Sequence, residues 1–223
     1  MNMRFKNSWV WSLFYGSVLS LATAACNERA SRIPDQLPYY TEASFTPQWI
    51  SPTSPDTATV PRIPPFSLTD QTGQTITERD VSGKIYVANF FFTACRGICP
   101  QMIENMGTLQ EVFKSDDDIV LLSHSVTPTR DSVPVLAAYA DGKGIDAQRW
   151  HLLTGDREEI YRLGREHYWV EEDQGLLVEP DEFLHTENFV LVDGSRRIRG
   201  IYNGINRASV AQLIADIGVL KAE

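Results

Sequence analysis

The stretch "KIYVANFFF", residues 84–92, sets the first constraint on the fold. Its apolar residues run on without alternating with polar ones, so a strand formed there needs cover on both faces. A sheet with one wet face cannot supply that cover, whereas helices packed on both sides of a central sheet can. Two cysteines follow at once in "TACRGICP", Cys95 and Cys99, four positions apart and with Pro100 behind them.

The rest of the chain fits the same architecture. "PFSLTDQTGQTI" (65–76) alternates apolar and polar residues around Gly73 and predicts a β-hairpin. After the buried strand, Met102, Ile103, Met106, Leu109, Val112 and Phe113 recur at helical spacing between residues 100 and 114. "DIVLLSHSV" (118–126) reads as a second buried strand, and "RDSVPVLAAYA" (130–140) as a helix with Pro134 in its first turn. "WHLLTG" (150–155) reads as a third strand and "DREEIYRLGREHYW" (156–169) as a helix. "ENFVLVDGSRRIRGIYNG" (187–204) predicts two strands joined by a turn at Asp193 and Gly194, with an amphipathic helix over 208–220 behind them. Strands alternating with helices, then a closing hairpin and helix, predict an α/β thioredoxin-like fold, a central mixed β-sheet flanked by helices with an N-terminal β-hairpin.

With 223 residues, the chain is long enough for one well-packed domain. A formal net charge of −9 argues against nucleic acid and against an anionic lipid surface, since both would repel it. Residues 1–26 read as an export segment: Arg4 and Lys6 at the start, an apolar stretch over 9–21, and a small-residue exit at 22–25. An uncleaved membrane helix is the alternative, although four serines dilute a segment that barely reaches the ~20 apolar residues a span needs. Cys26 directly after the exit resembles the lipobox cysteine of bacterial lipoproteins, which implies lipidation there; plain cleavage near Ala24 or Ala25 is the other route. Either way the chain is expected to be exported, and with lipid on Cys26 or an uncleaved helix it is anchored to the membrane by its N-terminus and faces the periplasm. Residues 27–65 hold eight of the twelve prolines and read as a tether, with Tyr39, Tyr40, Phe45 and Trp49 apolar enough for part of it to lie on the domain at 66–223.

If Cys26 carries lipid, Cys95 and Cys99 are the two remaining thiols, in an oxidising compartment where idle thiols are oxidised. A proline biases the residue before it out of the α region, so Cys99 is expected at a helix entrance with Pro100 in the first turn, and Cys95 in the preceding loop. Unpaired N–H groups and the macrodipole there favour a thiolate, most of all at Cys99. Gly97 leaves the loop free to bring the sulfurs together. A structural disulfide over so short a loop would stabilise little, and the pair is left between redox and metal chemistry.

"NFFFTACRGICPQM" resembles the strand and CxxxCP loop of the Sco/SenC family, thioredoxin-fold proteins that deliver copper to cytochrome c oxidase. The likeness continues in "FSLTDQTGQTIT", "GKIYVANFFF", "SVTPTRDSV" and "FLHTENFVLVDGSRRIRGIY", from about residue 66 to 220. It implies Cys95, Cys99 and His185 as copper ligands, and the oxidase copper-site subunit and a thiol-disulfide reductant as partners. Two thiolates and an imidazole suit Cu(I) and tolerate Cu(II), and Glu182, Glu187 or a backbone carbonyl is expected to orient His185. The sequence departs from the family at Leu184 and Thr127, where many members carry Asp. The competing reading is a thiol-disulfide oxidoreductase in which Cys95 and Cys99 are the redox-active pair; it does not need His185. A peroxidase built on Arg96 and Thr93 is the weaker enzyme reading. His124, near a strand end, is a candidate fourth ligand or proton donor as well as a plain strand-end polar group. His151 and His167 read as structural, and Met102 and Met106 as core.

Overall fold

The apolar run becomes β3 (Ile85–Phe91), buried at every position in the middle of a five-stranded sheet. The structure, a computed structural model, describes residues 36–170, 184 and 186–223. β4 (Ile119–Ser125) lies parallel to β3 with Ile85 opposite Ile119, and β5 (Trp150–Leu153) lies parallel to β4. On the other side β6 (Asn188–Val192) pairs antiparallel with β3, and β7 (Ile198–Asn203) antiparallel with β6, giving the order β5-β4-β3-β6-β7. The predicted hairpin is β1 (Ser67–Thr69) and β2 (Thr75–Thr77), joined to β5 by reciprocal backbone hydrogen bonds of 2.8 Å between Thr69 and Thr154.

Alternate residues of β3 and β4 feed two core layers. Val87, Phe91 and Leu121 face α1 (Cys99–Val112), α2 (Val133–Lys143) and α4 (Arg207–Ala222). Tyr86, Phe90, Val120 and Leu122 face α3 (Arg157–Arg162), the hairpin and the segment around Tyr168. The sheet is covered on both faces, as the run at 84–92 requires; it is mixed, and the fold is thioredoxin-like.

The helix predicted over 156–169 divides. Its Asp156 cap accepts the Glu159 N–H at 2.8 Å, but after Arg162 the chain widens into a π-helical turn, Leu163–His167, closed by Tyr168 N–H on the Leu163 carbonyl. The extra residue in that turn lets Tyr168 point inward against Phe90. Gly164 sits in this turn against Leu184: a methyl group there would collide with the Leu184 side chain and press on the Phe90 ring.

The N-terminal arm lies on β7. Arg199, 2% exposed, donates to the carbonyls of Pro38 (3.1 Å) and Leu37 (2.7 Å), pairs with Glu223 at 2.7 Å and lies over the Tyr39 ring. Tyr40 N–H donates to the Ile198 carbonyl, and Ile63 N–H to that of Arg196. Leu37, Tyr39, Val60 and Ile63 are buried, while Trp49 is exposed. Among the described residues no helix is long and apolar enough to cross a membrane.

Candidate functional site

The end of β3 delivers Phe92 and Thr93 to a tight loop in which Cys95 N–H donates to the Phe92 carbonyl at 3.3 Å. The chain then enters α1 with Ile98 as its cap residue; the Ile98 carbonyl accepts from the N–H groups of Gln101 and Met102, both at 3.1 Å. Cys99 is therefore the first residue of the helix itself rather than its non-helical neighbour. The bias against helical conformation before Pro100 yields to those two bonds and to burial of the Cys99 side chain with Phe91, Met102 and Ile103.

The two sulfurs meet, both in the thiol state. The Cys99 thiol donates to the Cys95 sulfur, and the backbone N–H groups of Cys99, Gly97 and Ile98 converge on the same atom. Partial burial opposes the Cys95 thiolate, but these donors outweigh it and hold the Cys95 thiol below its ordinary value. Cys99 goes the other way: burial, together with the hydrogen bond it donates to Cys95, pushes its thiol up to about 12. The expectation that Cys99 gains most from the helix entrance is thus corrected. The free N–H groups at the start of α1 point back at the loop sulfur, while Cys99, 5% exposed, lies inside the apolar layer. Ile98 and Gly97 leave the Cys95 side of the pair open to solvent.

Tyr139 of α2 packs beside the pair, its ring 5.8 Å from that of Phe91. Burial raises its phenol to about 12, and the Cys99 and Cys95 sulfurs and Asp131 add to the shift. Asp131 is itself buried and receives Thr93 N–H (3.2 Å), Thr93 Oγ1 (2.5 Å), Ser125 Oγ (2.5 Å) and Thr127 Oγ1 (3.0 Å). Neither Tyr139 nor Asp131 stands out in the sequence; the one available signal was the hydroxyl-rich "SVTPTRDS" directly after a central strand. Thr127, where many family members carry Asp, here donates to a carboxylate four residues further on.

The other candidates separate. His185, Glu182 and Cys26 lie outside the described residues. Leu184, just before His185, is buried against the second core layer. The Glu187 carboxylate accepts from Asn203 Nδ2 at 3.3 Å. His124 is fully buried on the opposite face of the sheet from Cys99, stacked on Phe90 with ring centroids 4.8 Å apart, so it does not join the thiol pair. His151 pairs with Asp70 at 3.0 Å, and His167 contacts Arg162 at 2.9 Å; both are structural. Met102 and Met106 are fully buried core residues. Arg96 is exposed, and Thr93 is taken up by Asp131. Among the described residues no three His, Cys, Asp or Glu side chains cluster as a metal site, so the two sulfurs are the described part of any such centre.

Fold and site together define a thioredoxin-like domain carrying a CxxxC dithiol at the start of its first long helix. The SCO1/SenC sequence profile matches residues 55–220, and the chain belongs to that family. It is 28% identical over 160 residues to the SCO1 protein homolog of Bacillus subtilis, covering 70% of this chain and 80% of that one. Among solved structures, a SCO1/SenC family lipoprotein from Bacillus anthracis superposes with a TM-score of 0.62 at 29% identity, covering 72% of this chain and 95% of the other. BsSco, described with a disulfide switch as a member of the Sco family of cytochrome c oxidase assembly proteins, gives 0.60 at 25% identity, covering 71% and 92%. Arabidopsis thaliana ScoI with copper bound gives 0.55 at 26%, covering 73% and 98%.

Proposed function

We propose that this protein binds copper as cargo in cytochrome c oxidase assembly and hands it to the copper-site subunit of the oxidase, with Cys95, Cys99 and His185 as ligands. The observation that carries the reading is the meeting of the two sulfurs at the start of α1, one of them ringed by backbone donors that favour its thiolate. Paired soft sulfurs fit Cu(I), and an imidazole from the segment that leads into β6 completes a set that also tolerates Cu(II). The copper-bound Arabidopsis relative supports the choice of metal. The lipoprotein relative supports an export segment over 1–26 that leaves the chain lipidated at Cys26 and facing the periplasm, with 27–65 linking that anchor to the domain at 66–223. Copper titration of the reduced protein tests the assignment: one ion per chain with a sulfur-to-copper absorption band on Cu(II) is expected, and wild-type stoichiometry in Cys99→Ser would overturn it.

A second reading, thiol-disulfide exchange on the oxidase copper-site cysteines or another exported protein, is favoured by the asymmetry of the pair. An accessible sulfur held toward the thiolate attacks a disulfide, and a buried thiol beside it resolves the mixed intermediate. His185→Ala separates the two readings. Under copper delivery, cells carrying it lose oxidase activity as fully as Cys95→Ser cells do. Under exchange, oxidase activity survives at normal protein level.

A further inference from the structure

Cys99 is fixed by its helix, and the loop's own N–H groups favour the Cys95 sulfur beside it, but that loop contains Gly97 and its path depends on how its root is held. The root of that loop is Thr93, two residues before Cys95 and two beyond the end of β3. Thr93 is gripped twice by one carboxylate: its N–H and its Oγ1 both donate to Asp131, at 3.2 and 2.5 Å. Two further hydroxyls, Ser125 Oγ from the end of β4 and Thr127 Oγ1 from the loop after it, complete four bonds to the same group. Three of the four donors fall on Oδ2 and one, the Thr93 hydroxyl, on Oδ1. Asp131 is 1% exposed, and burying such a group costs desolvation that an apolar contact between the same two loops would avoid. What the carboxylate adds is direction: it fixes Thr93 along two bonds at once, and with it the path by which the chain reaches Cys95.

We propose that Asp131 is a positioning residue for the thiol pair, acting through Thr93 to hold Cys95 in register with Cys99. The inference deepens the dithiol-site reading above and rests on it for its biological purpose. Asp131 lies on the thiol side of the fold, since from the loop after β4 it bonds Thr93, two residues before Cys95. A peroxide site would need the Thr93 hydroxyl free for substrate; here it is taken by the carboxylate.

The test is the equilibrium of the metal-free full chain with glutathione. Two thiols give up two electrons and two protons to one glutathione disulfide, forming the Cys95–Cys99 bond and two glutathione thiols. The equilibrium constant reports how well the sulfurs are held together. Thr93→Val, which removes the hydroxyl alone, and Asp131→Asn are expected to lower it at least fivefold, a rise of about 20 mV in reduction potential. Thr93→Ser restores the hydroxyl and should stay within twofold of wild type. Tyr202→Phe is the control for general packing: it removes another hydroxyl bond to a buried carboxylate, the 2.7 Å contact with Asp216, and should lower the melting temperature without moving the constant. If Asp131→Asn does not fold, Thr93→Val decides. The proposal is overturned by a wild-type constant in Thr93→Val, by an equal shift in Tyr202→Phe, or by a wild-type pair that closes no disulfide at any glutathione ratio. Copper titration of the same wild-type chain tests the metal reading separately. No copper bound, with the thiol constants split as expected, overturns copper delivery and keeps the positioning role. Copper bound with no split does the reverse.

Discussion

The imidazole of His124 makes one long hydrogen bond, Nδ1 to the Asn89 carbonyl at 3.4 Å, and its Nε2 is buried without a partner among the described residues. Burial pulls its pKa from 6.5 down to about 4, with the Asn89 carbonyl acting weakly in the opposite sense. The folded protein therefore keeps this ring neutral at a pH where the unfolded chain has already taken up a proton. The stabilisation is present in full above pH 6.5 and is lost as pH falls toward 4, amounting to roughly 3 kcal/mol over that window. Denaturant titrations across the window should show the loss in wild type and a flatter profile in His124→Phe, which keeps a ring on Phe90. An equally steep profile in the variant would place the titrating group elsewhere. The thiols make a second prediction at this scale. Iodoacetamide should label Cys95 well before Cys99, because one sulfur is open and held toward the thiolate while the other is buried with its thiol pushed up. Peptide mass spectrometry over time reads the order, and equal rates would refute the asymmetry.

Among the elements, the π-helical turn Leu163–His167 packs through Gly164 against Leu184, four residues before β6. Gly164→Ala drives a methyl group into Leu184 and Phe90, and overpacking of that kind costs about 1–3 kcal/mol. Leu184 is bonded directly to His185, so under the ligand set proposed above the same variant should bind copper more weakly while its two thiols alkylate at wild-type rates. A melting curve, a copper titration and an alkylation time course together check it. This anchoring was not legible beforehand. Leu184 reads in the sequence as a departure from a family pattern, and its contact with Gly164 joins residues twenty apart through a turn that local spacing shows as an ordinary helix. The central strands were legible for a plain reason: a continuous apolar run admits few placements, and β3 and β4 sit where 84–92 and 118–126 put them. The position of the thiol pair was equally readable from Pro100, but its electrostatics were not. Which sulfur receives the free N–H groups depends on how the loop turns back over the helix start, and spacing alone carries no record of that. Asp131 stayed hidden because its four donors come from the ends of two strands that pair only in the folded chain.

At the scale of the whole molecule, Arg199 ties the first described residues to the last. It joins the Leu37 and Pro38 carbonyls to Glu223, and Glu223 in turn accepts the Leu37 N–H at 2.6 Å. Arg199→Met leaves that carboxylate buried without its cation, a loss of about 3–5 kcal/mol by the measure of other broken buried pairs. Limited proteolysis should then cut between residues 40 and 50 in the variant under conditions that leave wild type whole; identical digestion patterns would mean that the arm holds without the clamp. The docked arm also governs how copies of the chain meet. The hairpin occupies the outer side of β5 through Thr69 and Thr154, and the arm takes up carbonyls at Arg196 and Ile198 at the opposite end of the sheet. A strand with bare amides and carbonyls is a template on which a neighbour's strand can add, and the chain itself takes up groups at both ends of this sheet, with Thr69 and the Gln71 side chain at β5 and Tyr40 at β7. With the arm released, the β7 end becomes such a template, and Arg199→Met should scatter light in proportion to its concentration while wild type stays clear.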